Sequence, residues 1–212
     1  MAEPLVRTVF VVDDDLSMRS AIRRLLASVA LPCETFATPA EFLDRLEFGV
    51  SGCVVLDVRM PEASGLDLQR ILREKGNDLP VVFITAHADV PLAVRAMKAG
   101  ALEVLTKPFD DQSLLDAVHL ALEAERILSR EREQTHRLRS RFETLTARER
   151  QVMALLARGM SNKQMASELG TSVKTIKAHR ARLKQKMGAE SLSDLIRMSD
   201  RLIGPPNVAT PL

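Results

Sequence analysis

Short apolar runs alternate with amphipathic segments along residues 8–125. The runs are rich in Val and have the length of buried strands, whereas the segments between them repeat apolar positions at helical spacing. Because alternating strands and helices build a parallel sheet covered on both faces, the pattern predicts an α/β doubly wound, five-stranded parallel sheet. We expect the strands near 8–13, 32–36, 52–57, 79–84 and 102–105, and the helices at 16–29, 39–48, 65–75, 90–99 and 111–126.

A different pattern occupies residues 144–203, where helical spacing continues without strand-like runs. Thr146 is followed three residues later by Glu149, the capping-box signature of a helix start. Further helices are expected at 161–169, 173–187 and 191–202, since a serine stands at the start of each. The pattern predicts a small all-α domain after the α/β domain.

A polar segment joins the two blocks. Residues 129–137 contain no apolar side chain, and helix formers dominate without any Pro or Gly, so a stiff helical connection is favoured over a flexible one. A solvated charged linker is the alternative. We therefore divide the chain into a first domain at 1–125, a helical or charged linker at 126–143, a second domain at 144–203 and a disordered tail at 204–212.

Charge is distributed unevenly between the two halves. Residues 1–124 hold 12 Lys or Arg and 19 Asp or Glu, a net charge of −7, and residues 125–212 hold 18 and 9, a net charge of +9. A basic domain joined to an acidic one suggests that the basic part meets a polyanion, although a solvated surface explains either part alone.

Neither cysteines nor apolar runs indicate a secreted or membrane protein. Cys33 and Cys53 form no CxxC pattern and are interpreted as structural thiols in a reducing compartment. No signal pattern begins the chain, and no apolar run approaches about 18 residues. We expect a cytoplasmic protein without a membrane partner.

Polar side chains follow four of the predicted strands where each strand ends. They are Asp13-Asp14-Asp15, Asp57, Thr85 and Lys107. Because ligands of an open parallel sheet bind beyond the carboxyl ends of its strands, these groups are expected to converge. Clustered carboxylates repel one another unless a cation lies among them, which predicts a metal site. Taken singly, each group has a simpler explanation, such as capping of the next helix.

The chemistry that such a cluster supports is the transfer of a phosphoryl group to an aspartate. Asp57 can attack an electrophilic phosphorus and form an acyl phosphate. Asp13 and Asp14 supply acids for Mg²⁺, which prefers carboxylate and phosphate oxygens. Lys107 offers a positive charge to a phosphate oxygen, and the hydroxyl of Thr85 can follow the new phosphate.

Residues 6–125 resemble the receiver domain of two-component response regulators, which has a flavodoxin-like fold. The resemblance implies that Asp57 accepts phosphate from a sensor histidine kinase. It also implies that Asp14 and Asp57 bind Mg²⁺ directly, with Asp13 acting through water and the Arg59 backbone carbonyl as a further ligand, and that the Lys107–Pro108 peptide is cis. The matching residues are Val12-Asp13-Asp14, Asp57, Met60-Pro61, Gly65, Thr85-Ala86, Gly100-Ala101 and Lys107-Pro108-Phe109.

One position departs from the receiver pattern. Receivers often have Tyr or Phe three residues before the lysine, and that ring turns inward when the threonine moves toward the phosphate. Here the position holds Val104, so Thr85 and Val104 form an incomplete version of this switch. Arg59 and His87, each two residues past a site residue, are expected to face the phosphate and tune its lifetime.

The segment 173–187 combines an apolar stripe with many cations. Ile176, Leu183 and Met187 share one helical face, and small Ala178 and Ala181 lie among the cations. Such a helix can pack on its stripe and approach a DNA groove, while a solvated basic face is the commoner explanation of charge alone. The preceding short helix and turn favour a helix-turn-helix. The cations are Lys174, Lys177, Arg180, Arg182, Lys184 and Lys186.

Residues 144–203 resemble the LuxR/NarL-type DNA-binding domain. The resemblance implies that 173–187 is the recognition helix, with Lys177 and Ala178 at bases and Lys174, Thr175 and Arg182 at flanking bases or phosphates. His179 has a packing role or a DNA contact. The last helix would form a dimer face through Leu192, Leu195, Ile196 and Ser199. The matching residues are Leu145-Thr146, Arg148-Glu149, Gly159, Ser161-Asn162-Lys163, Ala166, Leu169, Ser172, Thr175-Ile176-Lys177, His179 and Lys186-Met187-Gly188.

Together the two blocks resemble a FixJ-type response regulator. The leading hypothesis is a transcription factor in which phosphorylated Asp57 favours dimerisation through the 86–125 face and binding of promoter DNA, with RNA polymerase as a further candidate partner. A regulator that binds DNA independently of phosphorylation is the first alternative, because Val104 has no ring. A Mg²⁺-dependent phosphatase or phosphotransferase is the second, although Arg59 stands where such enzymes need an acid. The leading hypothesis assigns no enzyme activity to the chain.

Overall fold

The computed structural model describes residues 7–46, 50–61, 63–86 and 90–203. The chain separates into two compact units, Met1–Ser129 and Arg130–Leu212. In the first unit, five strands form one parallel sheet in the order β2-β1-β3-β4-β5. The strands are β1 (Thr8–Val12), β2 (Cys33–Phe36), β3 (Gly52–Asp57), β4 (Val81–Thr85) and β5 (Glu103–Thr106).

Helices alternate with the strands and cover both faces of the sheet. Successive strand residues point to opposite faces, so Val9 and Val11 pack with Ile22, while Phe10 and Val12 pack with Phe42 on the other side. The two cores confirm the predicted doubly wound α/β sheet. The helices are α1 (Leu16–Ser28), α2 (Pro39–Arg45), α3 (Gly65–Glu74), α4 (Val90–Lys98) and α5 (Asp111–Glu143).

The largest difference from the expected elements is the length of α5. It was expected to end near residue 126, but it continues through the polar segment to Glu143, so the helical connection favoured for that segment is confirmed and only the boundary of the helix is wrong. Within the second unit, Leu138 is buried and Phe142 packs against the same core. The segment assigned to a linker therefore supplies core side chains to the second unit. The predicted disordered tail at 204–212 lies outside the described residues.

The second unit is helical, as the sequence predicts. Its core joins Met153, Met165 and Ile176 to residues of the neighbouring helices. Thr146 and Glu149 form the predicted capping box, and Ser161 forms a second one with Gln164. The helices are α6 (Ala147–Ala157), α7 (Asn162–Glu168), α8 (Val173–Met187) and α9 (Leu192–Ile203).

The last helix does not present the dimer face expected from the sequence. Leu195 is 3% exposed and Ser199 is 1% exposed, because both side chains, one helical turn apart, point into the core of their own unit. Leu192 is 43% exposed and Ile196 is half-buried. Leu195 and Ser199 must therefore be removed from the proposed dimer face.

Two further expectations concern cysteines and membranes. Cys53 is buried and Cys33 is half-buried, and burial raises the pKa of the Cys53 thiol to about 12 and that of Cys33 to about 11. Such thiols are poor nucleophiles, as a structural role requires. None of the helices in the described ranges is both long enough and apolar enough to cross a bilayer.

A buried ion pair stabilises the start of α6. Glu149 is 2% exposed, and its Oε2 accepts hydrogen bonds from the Thr146 backbone N–H at 2.9 Å and from Lys186 Nζ at 2.8 Å. Burial acts to raise the pKa of Glu149, but the bonds from Lys186 and Thr146 outweigh it and lower this pKa to about 2. The folded state therefore favours the ionised carboxylate.

We expect Glu149→Gln to destabilise the second unit by about 1–3 kcal/mol, because the bond between Lys186 and a buried carboxylate becomes a bond to a neutral amide, whereas Gln can keep the capping bond to the Thr146 N–H. In the wild type this stabilisation is complete above the unfolded pKa near 4.5 and is lost as the pH falls toward 2. Amide hydrogen exchange of α6 as a function of pH measures both effects. The exposed Glu168→Gln is the control, and equal exchange in the two variants would contradict the assignment.

Candidate functional site

Four predicted site residues lie at the carboxyl ends of neighbouring strands. The pairing of Val12 with Leu56 places Asp13 beside Asp57, and the pairing of Thr85 with Thr106 places Lys107 just beyond β5. Asp13 and Thr85 are fully buried, and Asp57 is 7% exposed. The predicted convergence of the four groups is thus present along this edge of the sheet.

Lys107 connects the two buried carboxylates. Its Nζ donates to Asp13 Oδ2 and to Asp57 Oδ2, at 2.7 Å in each case. Desolvation acts to lower the pKa of Lys107, but its hydrogen bonds to Asp13 and Asp57 outweigh it and raise that pKa. Lys107 is therefore a fixed cation at the open carboxylate of Asp57. The sequence placed Lys107 near an incoming phosphate and did not indicate its bond to Asp13.

Backbone groups hold both carboxylates in place. Asp57 Oδ1 accepts from the Arg59 N–H at 3.0 Å, and Asp13 Oδ1 accepts from the Asp15 N–H at 2.8 Å. Asp15 caps α1 by accepting from the Ser17 N–H at 2.7 Å, as predicted. These bonds leave the remaining lone pairs of Asp57 for Lys107 and for a ligand.

Gly65 permits α3 to begin directly against the end of β3. A Cβ atom at this position would lie 2.3 Å from the Asp57 carbonyl oxygen and 3.0 Å from both Leu56 Cγ and Phe83 Cε1. The Gly65 N–H also donates to the Val58 carbonyl at 3.0 Å. Any side chain here must displace the turn that carries Asp57.

We expect Gly65→Ala to lower the free energy of unfolding of the first unit by about 1–3 kcal/mol, because the added methyl group overpacks this turn. The displaced turn should also slow any reaction at Asp57. Denaturant unfolding measures the first effect. Gly76→Asn is the matched control, since a Cβ at Gly76 meets nothing within 4 Å and Asn tolerates its φ of +70°. Equal losses in the two variants would show that the close approach at Gly65 is unimportant.

The acidic cluster fits a divalent cation. One carboxylate oxygen from each of Asp13, Asp14 and Asp57 lies within 4.8 Å of the others. Asp14 is exposed whereas its two neighbours are buried, so the cluster opens to solvent on one side. Oxygen ligands in this number suit Mg²⁺, which retains several waters.

The structure describes only some of the remaining residues that the receiver resemblance singles out. The Lys107–Pro108 peptide is cis, as the resemblance implies. Val104 is half-buried and packs on the core beneath α3 and α4. The Arg59 side chain is exposed, and His87 lies outside the described residues.

The recognition-helix candidate α8 has the predicted two faces. Ile176, Leu183 and Met187 are each 0% exposed and belong to the core, and Ser172 caps the helix by accepting from the Thr175 N–H. The Thr175 hydroxyl is hydrogen-bonded to Ser172 Oγ at 2.8 Å, so it already has a structural role. The exposed members of the predicted DNA-contacting set are Lys174, Lys177, Ala178 and Arg182.

Several basic residues of the second unit prove to be structural. Lys186 binds Glu149 and the Thr144 carbonyl, and Arg180 binds the Asn162 side chain on α7. Arg141 donates to the Met187 carbonyl at 2.9 Å, which caps the end of α8. His179 Nδ1 is buried with no hydrogen-bond partner in the described part of the chain. The number of Lys and Arg residues on α8 therefore overestimates how many positive charges can contact a polyanion, because Arg180 and Lys186 already bind groups within the unit.

A parallel sheet with this acidic edge, followed by a helix-turn-helix unit, defines a receiver domain with a DNA-binding output. Residues 9–119 match the response regulator receiver domain family, and residues 143–199 match the bacterial regulatory proteins of the luxR family. The chain belongs to the response regulators, in the group that carries a LuxR-type DNA-binding domain.

Relatives and solved structures match both units. Nodulation protein W of Bradyrhizobium diazoefficiens is 48% identical over 92% of this chain and 86% of that protein. Transcriptional regulatory protein FixJ of Azorhizobium caulinodans is 40% identical over 96% of this chain and 97% of its own length. The structure of the response regulator StyR is 46% identical with a TM-score of 0.80, over 92% of this chain and 98% of that one.

Proposed function

We propose that Asp57 accepts a phosphoryl group from a sensor histidine kinase. A carboxylate oxygen of Asp57 attacks the phosphorus, the phosphorus–nitrogen bond of the phosphohistidine breaks, and its electron pair remains on the imidazole. The observation that carries the proposal is the position of Lys107, whose Nζ lies 2.7 Å from Asp57 Oδ2. After transfer, this cation is placed to bind a phosphoryl oxygen.

The acidic cluster would hold Mg²⁺ for this reaction. Asp14 and Asp57 would bind the ion directly, Asp13 through water, and the backbone carbonyl of Arg59 would complete the protein ligands. Bound there, the ion offsets the repulsion between the Asp57 carboxylate and the phosphoryl oxygens. Lys107 also neutralises part of the charge of Asp13 and Asp57 through its two ion pairs.

Thr85 and Val104 would carry the signal from the phosphate. Thr85 ends β4 and is buried at the same edge of the sheet as Asp57, and its hydroxyl would follow a phosphoryl oxygen on Asp57. When Thr85 moves toward the phosphate, Val104 can fill the space that it leaves, but Val104 has no aromatic ring that could turn inward. A shift of the threonine must therefore be transmitted mainly through the backbone between β4 and α4.

The output would be dimerisation of the receiver followed by binding of promoter DNA through α8. An exposed apolar stripe on α4 supports a dimer face within the 86–125 region. Val90 is 77% exposed, Val94 is 44% exposed and Met97 is 50% exposed, and their spacing places them on one side of the helix. The relatives that are named as transcriptional regulators support the same output.

An electrophoretic mobility shift tests the coupling. We expect the full-length protein to bind its selected DNA more tightly after incubation with a small-molecule phosphoryl donor and Mg²⁺ than without the donor. Phosphorylation can shift this equilibrium only through contacts that differ between the two states. Equal affinity in both conditions would refute the coupling and favour a regulator that binds DNA regardless of phosphorylation.

We expect Val94→Glu to abolish phosphorylation-dependent dimerisation while Asp57 still takes up phosphate. A carboxylate in the centre of the α4 stripe would have to be desolvated in the dimer. Sedimentation of the phosphorylated protein measures the change. Glu74→Gln, exposed on α3 and outside the 86–125 region, is the control for altered surface charge. A phosphorylated Val94→Glu protein that still dimerises would exclude this face.

A further inference from the structure

A cavity of about 310 Å³ lies in the first unit, at the edge of the sheet opposite Asp57. It is bounded by α3, by the loops that precede β4 and β5, and by α5. The starts of β4 and β5, at Val81 and Glu103, lie at this edge, whereas Thr85 and Thr106 end the same strands at the acidic edge. The apolar part of its wall consists of Leu72, Leu79, Val81, Leu102, Ala124 and Leu128.

The buried side of the cavity carries an unsatisfied amide. Gln69 lines the cavity and is 3% exposed, and its Oε1 is buried with no hydrogen-bond donor among the residues that the structure describes. Buried side-chain oxygens almost always have a partner in folded proteins. A hydroxyl group delivered into the cavity would supply the missing donor once the Gln69 amide rotates its oxygen toward the cavity.

The open side of the cavity carries a guanidinium group. Arg73 follows Gln69 by one turn of α3, so both side chains reach the same face. Arg73 crosses Gly100 so closely that a Cβ at Gly100 would lie 2.0 Å from Arg73 Nη2. Gly100 has a φ of +83°, so the backbone that supports this approach suits glycine alone. The Arg73 side chain is exposed on this side of the cavity.

We propose that this cavity binds a small organic acid with an apolar body and a hydroxyl group. The carboxylate pairs with Arg73, the body fills the space between Leu72 and Leu102, and the hydroxyl donates to Gln69. A pocket that is mainly apolar, with a few convergent polar groups, is the usual form of a small-molecule site, and the volume suits a ligand of this size. The cavity lies apart from the acidic edge, since none of Asp13, Asp57, Thr85 and Lys107 lines it.

Titration of the full-length protein with 4-hydroxybenzoate tests the site. We expect saturable binding with chemical-shift changes at Gln69, Arg73 and Leu102. Benzoate lacks the hydroxyl group and 4-hydroxybenzamide lacks the charge, so each should bind about tenfold more weakly. Because Asp78 also lines the rim, 4-hydroxybenzylamine is included. Tighter binding of this amine than of the acid would overturn the assignment to an anion.

Two variants separate the cavity from nonspecific binding. Arg73→Gln should weaken 4-hydroxybenzoate about tenfold, whereas Arg70→Gln, on the same helix but outside the cavity, should leave it unchanged. Ala124→Phe should fill the space and abolish binding, with retained far-UV circular dichroism showing that the unit is folded. Unsaturable shifts in the wild type, or equal affinity in the Arg73 and Arg70 variants, would refute the proposal.

Discussion

Asp57→Asn is expected to abolish phosphoryl uptake by this chain. The amide preserves the shape of the side chain, and it remains able to accept from the Arg59 N–H that positions Asp57 Oδ1 at 3.0 Å. It lacks the anionic oxygen that must attack phosphorus, and it pairs weakly with Lys107. Incubation with a phosphoryl donor and Mg²⁺, followed by phosphate-affinity electrophoresis, should show the phosphorylated band in the wild type and none in the variant.

A matched substitution in the same acidic run separates this role from a general loss of charge. Asp15 is exposed and caps α1 through the Ser17 N–H, whereas Lys107 donates to Asp13 and Asp57. We expect Asp15→Asn to take up phosphate at close to the wild-type rate, with a loss of stability below about 1 kcal/mol because Asn is also a good cap. Phosphate uptake that persists in Asp57→Asn and disappears in Asp15→Asn would identify Asp15 as the acceptor and contradict the assignment of Asp57.

The fold of the first unit was predictable because its signals are local. Strands β1, β3 and β4 are short runs rich in β-branched residues, whereas β2 and β5 contain fewer of them. The period of two assigns Val9 and Phe10 to opposite faces without tertiary information. Because parallel strands all end at the same edge of the sheet, Asp13, Asp57 and Lys107, which follow three of these strands, are expected to lie close together. The bond between Lys107 and Asp13 could not be predicted, because it spans residues far apart in sequence and depends on the path after β5.

The second unit shows where local patterns are insufficient. Lys186 resembles any solvated cation in the sequence, but it lies beside the buried Glu149, 37 residues earlier. The resemblance to the LuxR/NarL-type domain implied an exposed dimer face that includes Leu195 and Ser199, yet both side chains are buried in their own unit. The polar stretch without Pro or Gly correctly favours a helical connection, but it contains no signal for the residue at which the helix ends, and Leu138 and Phe142 pack in the second unit before that end.

Lys177→Ala is expected to weaken specific DNA binding about ten- to 100-fold and to relax sequence preference at one base pair of each half-site. Lys177 is exposed on α8 and has Ala178 as its neighbour, so the helix can approach the floor of a major groove there. The buried Ile176 between Thr175 and Lys177 fixes the rotation of this face relative to the core. Binding of a randomised DNA pool, compared between variant and wild type, measures both the affinity and the preference.

Arg182→Ala and Lys163→Ala provide the comparison that distinguishes base from phosphate contacts. Arg182 is exposed on α8, and its loss should weaken all sequences alike and reduce the slope of log affinity against log salt by about 1. Lys163 is exposed near the start of α7, outside the predicted contact set, and its variant controls for a change of one charge. If Lys177→Ala altered only the salt slope, with its preferred sequence unchanged, Lys177 would be a phosphate contact, and base recognition would have to come from other residues of α8.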